Sequence, residues 1–190
     1  MTNFYLDIET TGLDPRKDKI ITIQFQELDR FSGKAIGELV VLKEWESSEK
    51  EIIQQFIEKT KILEADPFSF VPTGYNLNFE HNFLKIRSVI NGLPALDILN
   101  LPFIDLRAIG LLMNGGQFKG SGLSDLTGKK TKGDGIPGFY EIKEYDKILE
   151  YVEDETREFL KFNAWLYKNM PFVWDDFRRD LDEEDLKKIN

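Results

Sequence analysis

The 190-residue chain contains no cysteine and only one histidine, His81. The first absence excludes a disulfide framework and thiolate chemistry. The second excludes any site that needs two histidines, most zinc sites among them. No apolar run approaches the roughly 18 residues that span a bilayer, so no membrane partner is expected. The opening MTNFYLDIETTG carries acids and no basic stretch, which is not the pattern of a secretory leader. The expected compartment is therefore the cytoplasm. Positive charge is also scarce: 25 Lys and Arg stand against 34 Asp and Glu, a formal net charge of −9. That balance argues against a broad basic groove, the usual means of meeting nucleic-acid phosphates.

Apolar bulk, by contrast, is plentiful. Hydrophobic residues make up 41% of the chain and 15 of them are Phe, enough to fill one sizeable core. FYLDIE alternates, with Tyr5, Asp7 and Glu9 on one side of a strand and Phe4, Leu6 and Ile8 on the other. Thr11, Gly12, Asp14 and Pro15 close that strand with a turn. Ile20–Leu28 and Ala35–Leu42 read as two further strands joined by the hairpin connection DRFSGK. Ser47 and Ser48 are N-cap residues for a helix carrying Ile52, Ile53, Phe56 and Ile57. Beyond it the pattern predicts a short strand over Phe68–Gly74 and a helix over Asn78–Asn91, stopped by Gly92 and Pro94. A brief strand over Phe103–Asp105 and a helix over Leu106–Met113 follow. Gly115–Gly138 reads as a long loop with a helical turn near Leu123, and Tyr145–Leu166 is the most periodic helix. Antiparallel strands followed by alternating helices and strands predict a mixed α/β sheet. Residues 1–170 form the expected domain. Residues 171–190 form an acidic appendage, with seven acids against four bases from Phe172 onward.

Three groups of carboxylates carry chemical information. Asp7 and Glu9, at i and i+2 of a strand, stand side by side on one face. Adjacent carboxylates repel unless a cation or a shared proton joins them, and hard cations such as Mg²⁺ take oxygen ligands. A simple acidic patch fits the same two residues. Glu80 follows in GYNLNFEHNFL, where a strand ends at Gly74 and a helix begins; an acid there also gains from the helix dipole without any function. In the late helix Ile148, Val152, Phe159, Phe162 and Leu166 form an apolar stripe, and Glu155 falls within it. Tyr151 sits one turn above Glu155 on the same face. Asp154 turns away toward water with Glu158. A buried carboxylate needs a partner or a metal, whereas a half-exposed edge position needs neither.

The ordered set DIETTGL (7–13), GYNLNFEHNFL (74–84) and YVEDET (151–156) resembles the DEDD, or DnaQ-like, 3′–5′ exonuclease superfamily. That superfamily joins an Asp-x-Glu on the first strand, an Asn-x-x-Phe-Asp at a helix start, and a late-helix Asp preceded by Tyr or His. Tyr151, four before the last acid, looks like the tyrosine branch (DEDDy), akin to family-B DNA polymerase exonuclease domains. FIDLRAI and GLSDL resemble the same group. The resemblance implies a ribonuclease H-like fold, a mixed five-stranded sheet with helices on both faces. It also implies two divalent cations, Mg²⁺ or Mn²⁺, held by Asp7, Glu9, Glu80 and Glu155. Asp7 would bridge them, Glu9 and Glu155 would hold the one that activates water, and Glu80 would serve the leaving-group side. Tyr151 would orient the attacking water. Glu80 and Glu155 depart from the pattern by one methylene each, since the family has Asp at both positions.

The same resemblance places the terminal nucleotide of a single-stranded DNA or RNA 3′ end against Thr10, Thr11, Gly12 and Leu13, with Asn76 and Phe79 shaping its pocket. Phe79 serves equally as core. His81 is expected at the surface. Lys119, Lys129, Lys130 and Lys132 outnumber Asp125 and Asp134 in the Gly115–Gly138 loop, a candidate strand-binding segment or an ordinary solvated loop. The leading expectation is thus a metal-dependent 3′–5′ exonuclease. Its alternatives are a nucleic-acid-binding module of the same fold that cuts weakly or not at all, and an acidic interaction protein that docks through its tail.

Overall fold

Strand β1 (Asn3–Thr10) takes the middle of a five-stranded sheet. The computed structural model describes residues 2–64, 66, 68–128 and 133–180. Strands β2 (Ile20–Leu28) and β3 (Val40–Lys43) extend the sheet antiparallel on one side of β1. On its other side β4 (Val71–Gly74) and β5 (Ile104–Asp105) run parallel, giving the order β3-β2-β1-β4-β5. The mixed sheet inferred from the sequence is therefore present.

Both faces of the sheet are covered. Helix α1 (Glu49–Thr60) and α2 (Asn78–Ile90) lie on the face to which Leu6, Ile8, Ile23 and Phe25 point, with Ile52, Phe56, Phe83 and Leu84 completing that core. Burying side chains of this size contributes about 1.5–3 kcal/mol each. Helix α6 (Tyr145–Asp180) covers the opposite face together with α3 (Leu106–Met113), α4 (Leu123–Thr127) and α5 (Ile136–Glu141). Tyr5 shares the acid face of β1 and is wholly buried there, its ring 4.6 Å from that of Phe159. The strand thus has no open face, although Asp7 and Glu9 are only partly buried.

Local chemistry explains where the helices start. Ser48 caps α1 by accepting the Glu51 N–H, while its hydroxyl donates to the Glu51 carboxylate at 3.0 Å, a reciprocal capping arrangement. Glu49, the first residue of the helix, is buried. It receives the Arg87 guanidinium as a fork at 2.8 and 2.6 Å, the Ile20 N–H at 2.8 Å and the Asn91 amide at 3.0 Å. This clasp ties α1, α2 and the start of β2 together.

Four elements differ from the sequence reading. The third strand is shorter than Ala35–Leu42: Ala35 makes a single bridge to Leu28, and pairing resumes only at Val40. Between them the Gln26 side-chain amide donates to the Gly37 carbonyl, so a side chain takes the place of a ladder bond. The strand expected over Phe68–Gly74 begins only at Val71, and the last residues of the expected Gly115–Gly138 loop open helix α5. Helix α6 also runs on through Pro171 to Asp180, so the first ten residues of the expected appendage continue it. Met170, Pro171 and Trp174 share an apolar groove there with Ile104, Leu106 and Ile109. Residues 181–190 lie outside the described residues, as do Lys129, Lys130 and Lys132. Among the described residues no helix is long and apolar enough to cross a membrane.

Candidate active site

The site begins where β1 outruns its parallel neighbour. Strand β4 pairs with β1 only from Asn3 to Tyr5 and ends at Gly74. Beyond that end, Asp7 and Glu9 are bordered by the turn into α2. Gly74 is required at this junction, because a Cβ there would lie 2.9 Å from the Leu6 carbonyl oxygen and 2.5 Å from the Leu77 side chain. Asn76 holds the turn in a left-handed conformation, φ 72°, which Asn tolerates better than most residues. The carboxylate of Asp105, at the end of β5, receives the N–H groups of Asn76 at 2.8 Å and Leu77 at 3.0 Å. It also caps α3 by accepting the Arg107 N–H at 2.9 Å. One carboxylate therefore fixes the entry to α2, and with it the position of Glu80.

Glu80 is 4% exposed and lies against Asp7. Burial, then the Asp7 charge, pushes its carboxyl well above the usual range. Asp7 is itself pushed up to about 6, by burial and by the charge of Glu155. Contact between the two acids raises Glu80 and lowers Asp7, so Glu80 is the one that holds a proton more tightly. The Glu80 Oε2 atom is buried without a hydrogen-bond partner. Asp7 Oδ2 meanwhile accepts from the Gln24 amide at 2.8 Å and from the Tyr5 hydroxyl at 3.3 Å.

Helix α6 supplies the remaining groups. The Tyr151 hydroxyl donates to Glu155 Oε2 at 3.0 Å. Burial and the charges of Glu9, Glu155 and Asp7 push the phenol far above its ordinary value, so it remains a neutral hydroxyl. Glu155 is half-buried at the edge of the apolar stripe, and the neighbouring Thr156 occupies the interior position. Asp154 pairs with Arg157. The four acids expected from sequence, Asp7, Glu9, Glu80 and Glu155, are thus brought to one place, with Tyr151 among them.

The surrounding residues divide. Leu13 is 84% exposed at the tip of the turn after the acids, and Asn76 is exposed beside α2. Thr10 is buried and its hydroxyl donates to the Gly12 carbonyl at 2.6 Å, so its side chain shapes the turn. The Thr11 N–H is taken by the Lys19 carbonyl. A Cβ on Gly12 would collide with the Asp18 carboxylate. Phe79 is half-buried against Phe83, at the margin of the core. His81, expected at the surface, is instead tucked in with its side chain 12% exposed, because Asp97 approaches it from the following loop, 3.6 Å from Nδ1.

Two features escaped the sequence reading. Gly133 packs directly on Tyr151, since a Cβ there would lie 2.9 Å from the phenol oxygen, so the segment leading into α5 borders the site. Lys19 anchors that helix by donating to Glu44 at 2.7 Å and to Tyr140 at 2.8 Å. In β2, Gln24 and Thr22 stand directly opposite Asp7 and Glu9. Their signal was present as polar residues alternating with Ile21, Ile23 and Phe25, but only the strand pairing reveals what they face.

The donor set suits a hard divalent cation: all side-chain ligands are oxygens, one buried carboxylate oxygen has no partner, and the Asp7 charge raises Glu80 while the Glu155 charge raises Asp7. Among the described residues no three such side chains form a ready-made metal cage. The closest associations are pairwise, Asp7 with Glu80 and Glu155 with Tyr151.

Comparisons with known proteins add the wider context. A family model described as the RNase H superfamily matches residues 4–167. The chain is 26% identical over 201 aligned residues to an uncharacterized protein of Methanocaldococcus jannaschii, with all of this chain and 85% of the relative covered. E. coli Exonuclease I in complex with a dA16 oligonucleotide superposes with a TM-score of 0.58 at 14% identity, over 99% of this chain and 45% of that one. Its complex with a dT13 oligonucleotide gives 0.55 at 16% identity, over 98% and 45%. A zinc ion bound form of the Exonuclease I–ssDNA complex gives 0.56 at 15% identity, over 98% and 44%. The chain spans under half the length of these Exonuclease I chains. At such identities the likeness establishes the fold.

Proposed function

The chain belongs to the RNase H superfamily, and from that premise we propose that it is a metal-dependent 3′–5′ exonuclease of the DEDD tyrosine branch. Its substrate in this reading is a single-stranded DNA or RNA 3′ end. The observation that carries the reading is the convergence of acids from three separate segments: Asp7, Glu9 and Glu155 surround the Tyr151 hydroxyl, and Glu80 lies against Asp7. Residues 1–170 form the nuclease domain in this proposal and 171–190 an accessory tail.

Asp7, Glu9, Glu80 and Glu155 would hold two divalent cations, Mg²⁺ or Mn²⁺. When bound, these would stabilise the attacking and departing oxygens of an in-line displacement at phosphorus. Tyr151 contributes position rather than basicity. Its hydroxyl stays neutral and, fixed by its bond to Glu155, orients the attacking water. The proton that Glu80 holds tightly would be displaced to solvent by a bound cation, and Glu80 and Asp7 would then both serve as anionic ligands. In this reading Leu13, exposed at the tip of its turn, presses against the terminal base, while Thr10, Thr11 and Gly12 shape the turn that meets it and Asn76 and Phe79 would border its pocket. With a net charge of −9, recognition relies on the end of the strand rather than on a long basic track.

The test is Mg²⁺- or Mn²⁺-dependent shortening of a 3′-accessible labelled oligonucleotide, compared with Asp7→Ala. Loss of label from the 3′ end, abolished in the variant, is the expected result. Intact substrate with either metal and no difference between the two proteins would sink the reading. The pairing of Glu80 with Asp7, and the lack of a ready three-ligand cage among the described residues, favour one other reading: a nucleic-acid-binding module that cuts slowly. A large rate gain in Glu80→Asp/Glu155→Asp would select it.

A further inference from the structure

We propose that Gln24, backed by Thr22, is a positioning residue that fixes the Asp7 carboxylate for cation binding, an inference that rests on the metal-dependent reading above. Both side chains are wholly buried, at 0% exposure, in the strand paired with β1. Gln24 lies directly across the ladder from Asp7, and Thr22 directly across from Glu9. Burying an amide and a hydroxyl is costly unless each finds a partner. Here the partners form a continuous relay. The Glu9 N–H donates to Thr22 Oγ1 at 3.2 Å, the Thr22 hydroxyl donates to Gln24 Oε1 at 2.9 Å, and Gln24 Nε2 donates to Asp7 Oδ2 at 2.8 Å.

The direction of the relay is set by its last member. An ionised carboxylate only accepts, so Gln24 turns its NH₂ to Asp7 and its carbonyl oxygen to Thr22. The Thr22 hydroxyl then donates to Gln24, while its oxygen accepts the Glu9 N–H. Tyr5 donates to the same Asp7 oxygen, so two neutral donors converge on Oδ2 and fix the carboxylate's rotation. Neither donor adds a positive charge that would compete with a cation. Leu and Val of similar volume would fill positions 24 and 22 without any desolvation cost, so the polarity of these two residues serves the acid strand rather than packing. Groups that orient metal ligands in this way typically govern affinity by 10- to 100-fold.

The test is Mn²⁺ affinity of the full chain at pH 7.5 without nucleic acid, read from the spin-resonance signal of free Mn²⁺. Gln24→Leu is expected to weaken binding by roughly 10- to 100-fold. Thr22→Val, which touches no acid side chain, should weaken it by about 3- to 10-fold, and Thr22→Ser by less than about twofold, because serine keeps the hydroxyl. On a single-stranded oligonucleotide kcat should fall in the same order while KM holds. Folded Gln24→Leu and Thr22→Val proteins that bind Mn²⁺ like the parent overturn the positioning role and leave the nuclease reading standing. A parent chain that neither binds Mn²⁺ nor cuts overturns both. If Gln24→Leu does not fold, the threonine pair decides, and equal affinities in Thr22→Val and Thr22→Ser overturn the relay.

Discussion

The Tyr151 hydroxyl donates to Glu155 Oε2 at 3.0 Å, one turn apart on a single helix, which makes their relative position a property of helical geometry. Tyr151→Phe keeps the ring and removes the donor. Its expected effect is a drop in kcat of about 100-fold, the scale of a misplaced reactant. Because the phenol is held neutral, the acid and alkaline limbs of the pH–rate profile should be the same in parent and variant. A limb that disappears with the hydroxyl would give Tyr151 a proton-transfer role instead.

The acids set a second prediction. Asp7 and Glu80 hold protons more tightly folded than unfolded, so their contribution to stability is full below the ordinary carboxylate range. It is lost as pH rises through about 6 for Asp7, and further for Glu80. Metal-free protein should therefore melt lower at pH 7.5 than Glu80→Gln does, by about 3–6 °C, the equivalent of one to two kcal/mol at this size. Mg²⁺ should raise the parent's Tm more at pH 7.5 than at pH 5, and calorimetry at both pH values checks this.

Asp105 joins the turn before α2 to the start of α3 through three backbone N–H groups. Asp105→Ala leaves those donors without their acceptor and should cost about 2–3 kcal/mol. Since the same turn places Glu80, Mn²⁺ affinity should fall as well, measured well below the lowered Tm. A variant that loses stability yet binds Mn²⁺ like the parent would confine Asp105 to a structural role.

The Arg87–Glu49 clasp predicts the opposite pattern. Removing one partner of a buried ion pair costs about 3–5 kcal/mol, because the other charge is left uncompensated. Arg87→Ala should accordingly lower Tm markedly while kcat at low temperature stays near the parent value. Glu49 has further partners in Ile20 and Asn91 but none among the four proposed metal ligands.

The sequence made some of this legible and hid the rest for identifiable reasons. Alternation with a period of two put Asp7 and Glu9 on one side of β1, and spacing by one helical turn joined Tyr151 to Glu155. Both are local relationships, and both hold in the structure. Gln24, Thr22 and Asp105 act on residues far away in the chain, through strand register and a turn that no local pattern encodes. His81 and the exact start of β3 depended on which distant side chains approached, namely Asp97 from a loop and Gln26 from β2. Pro171 is a chain-level stop signal, yet α6 continues where its apolar residues meet β5 and α3.

The central place of β1 also determines how the molecule comes apart. Opening β1 requires unzipping β2 on one edge and β4 on the other, and lifting helices from both faces. Amide hydrogens across Tyr5–Ile8 should therefore exchange only through global unfolding, while the outer turns of α6, with exposed Phe172, Val173 and Phe177, fray independently. Proteolytic trimming that begins at that frayed end would reach Glu155 first of the four acids, leaving Asp7 and Glu9 of β1 as the last of the proposed ligands to be lost.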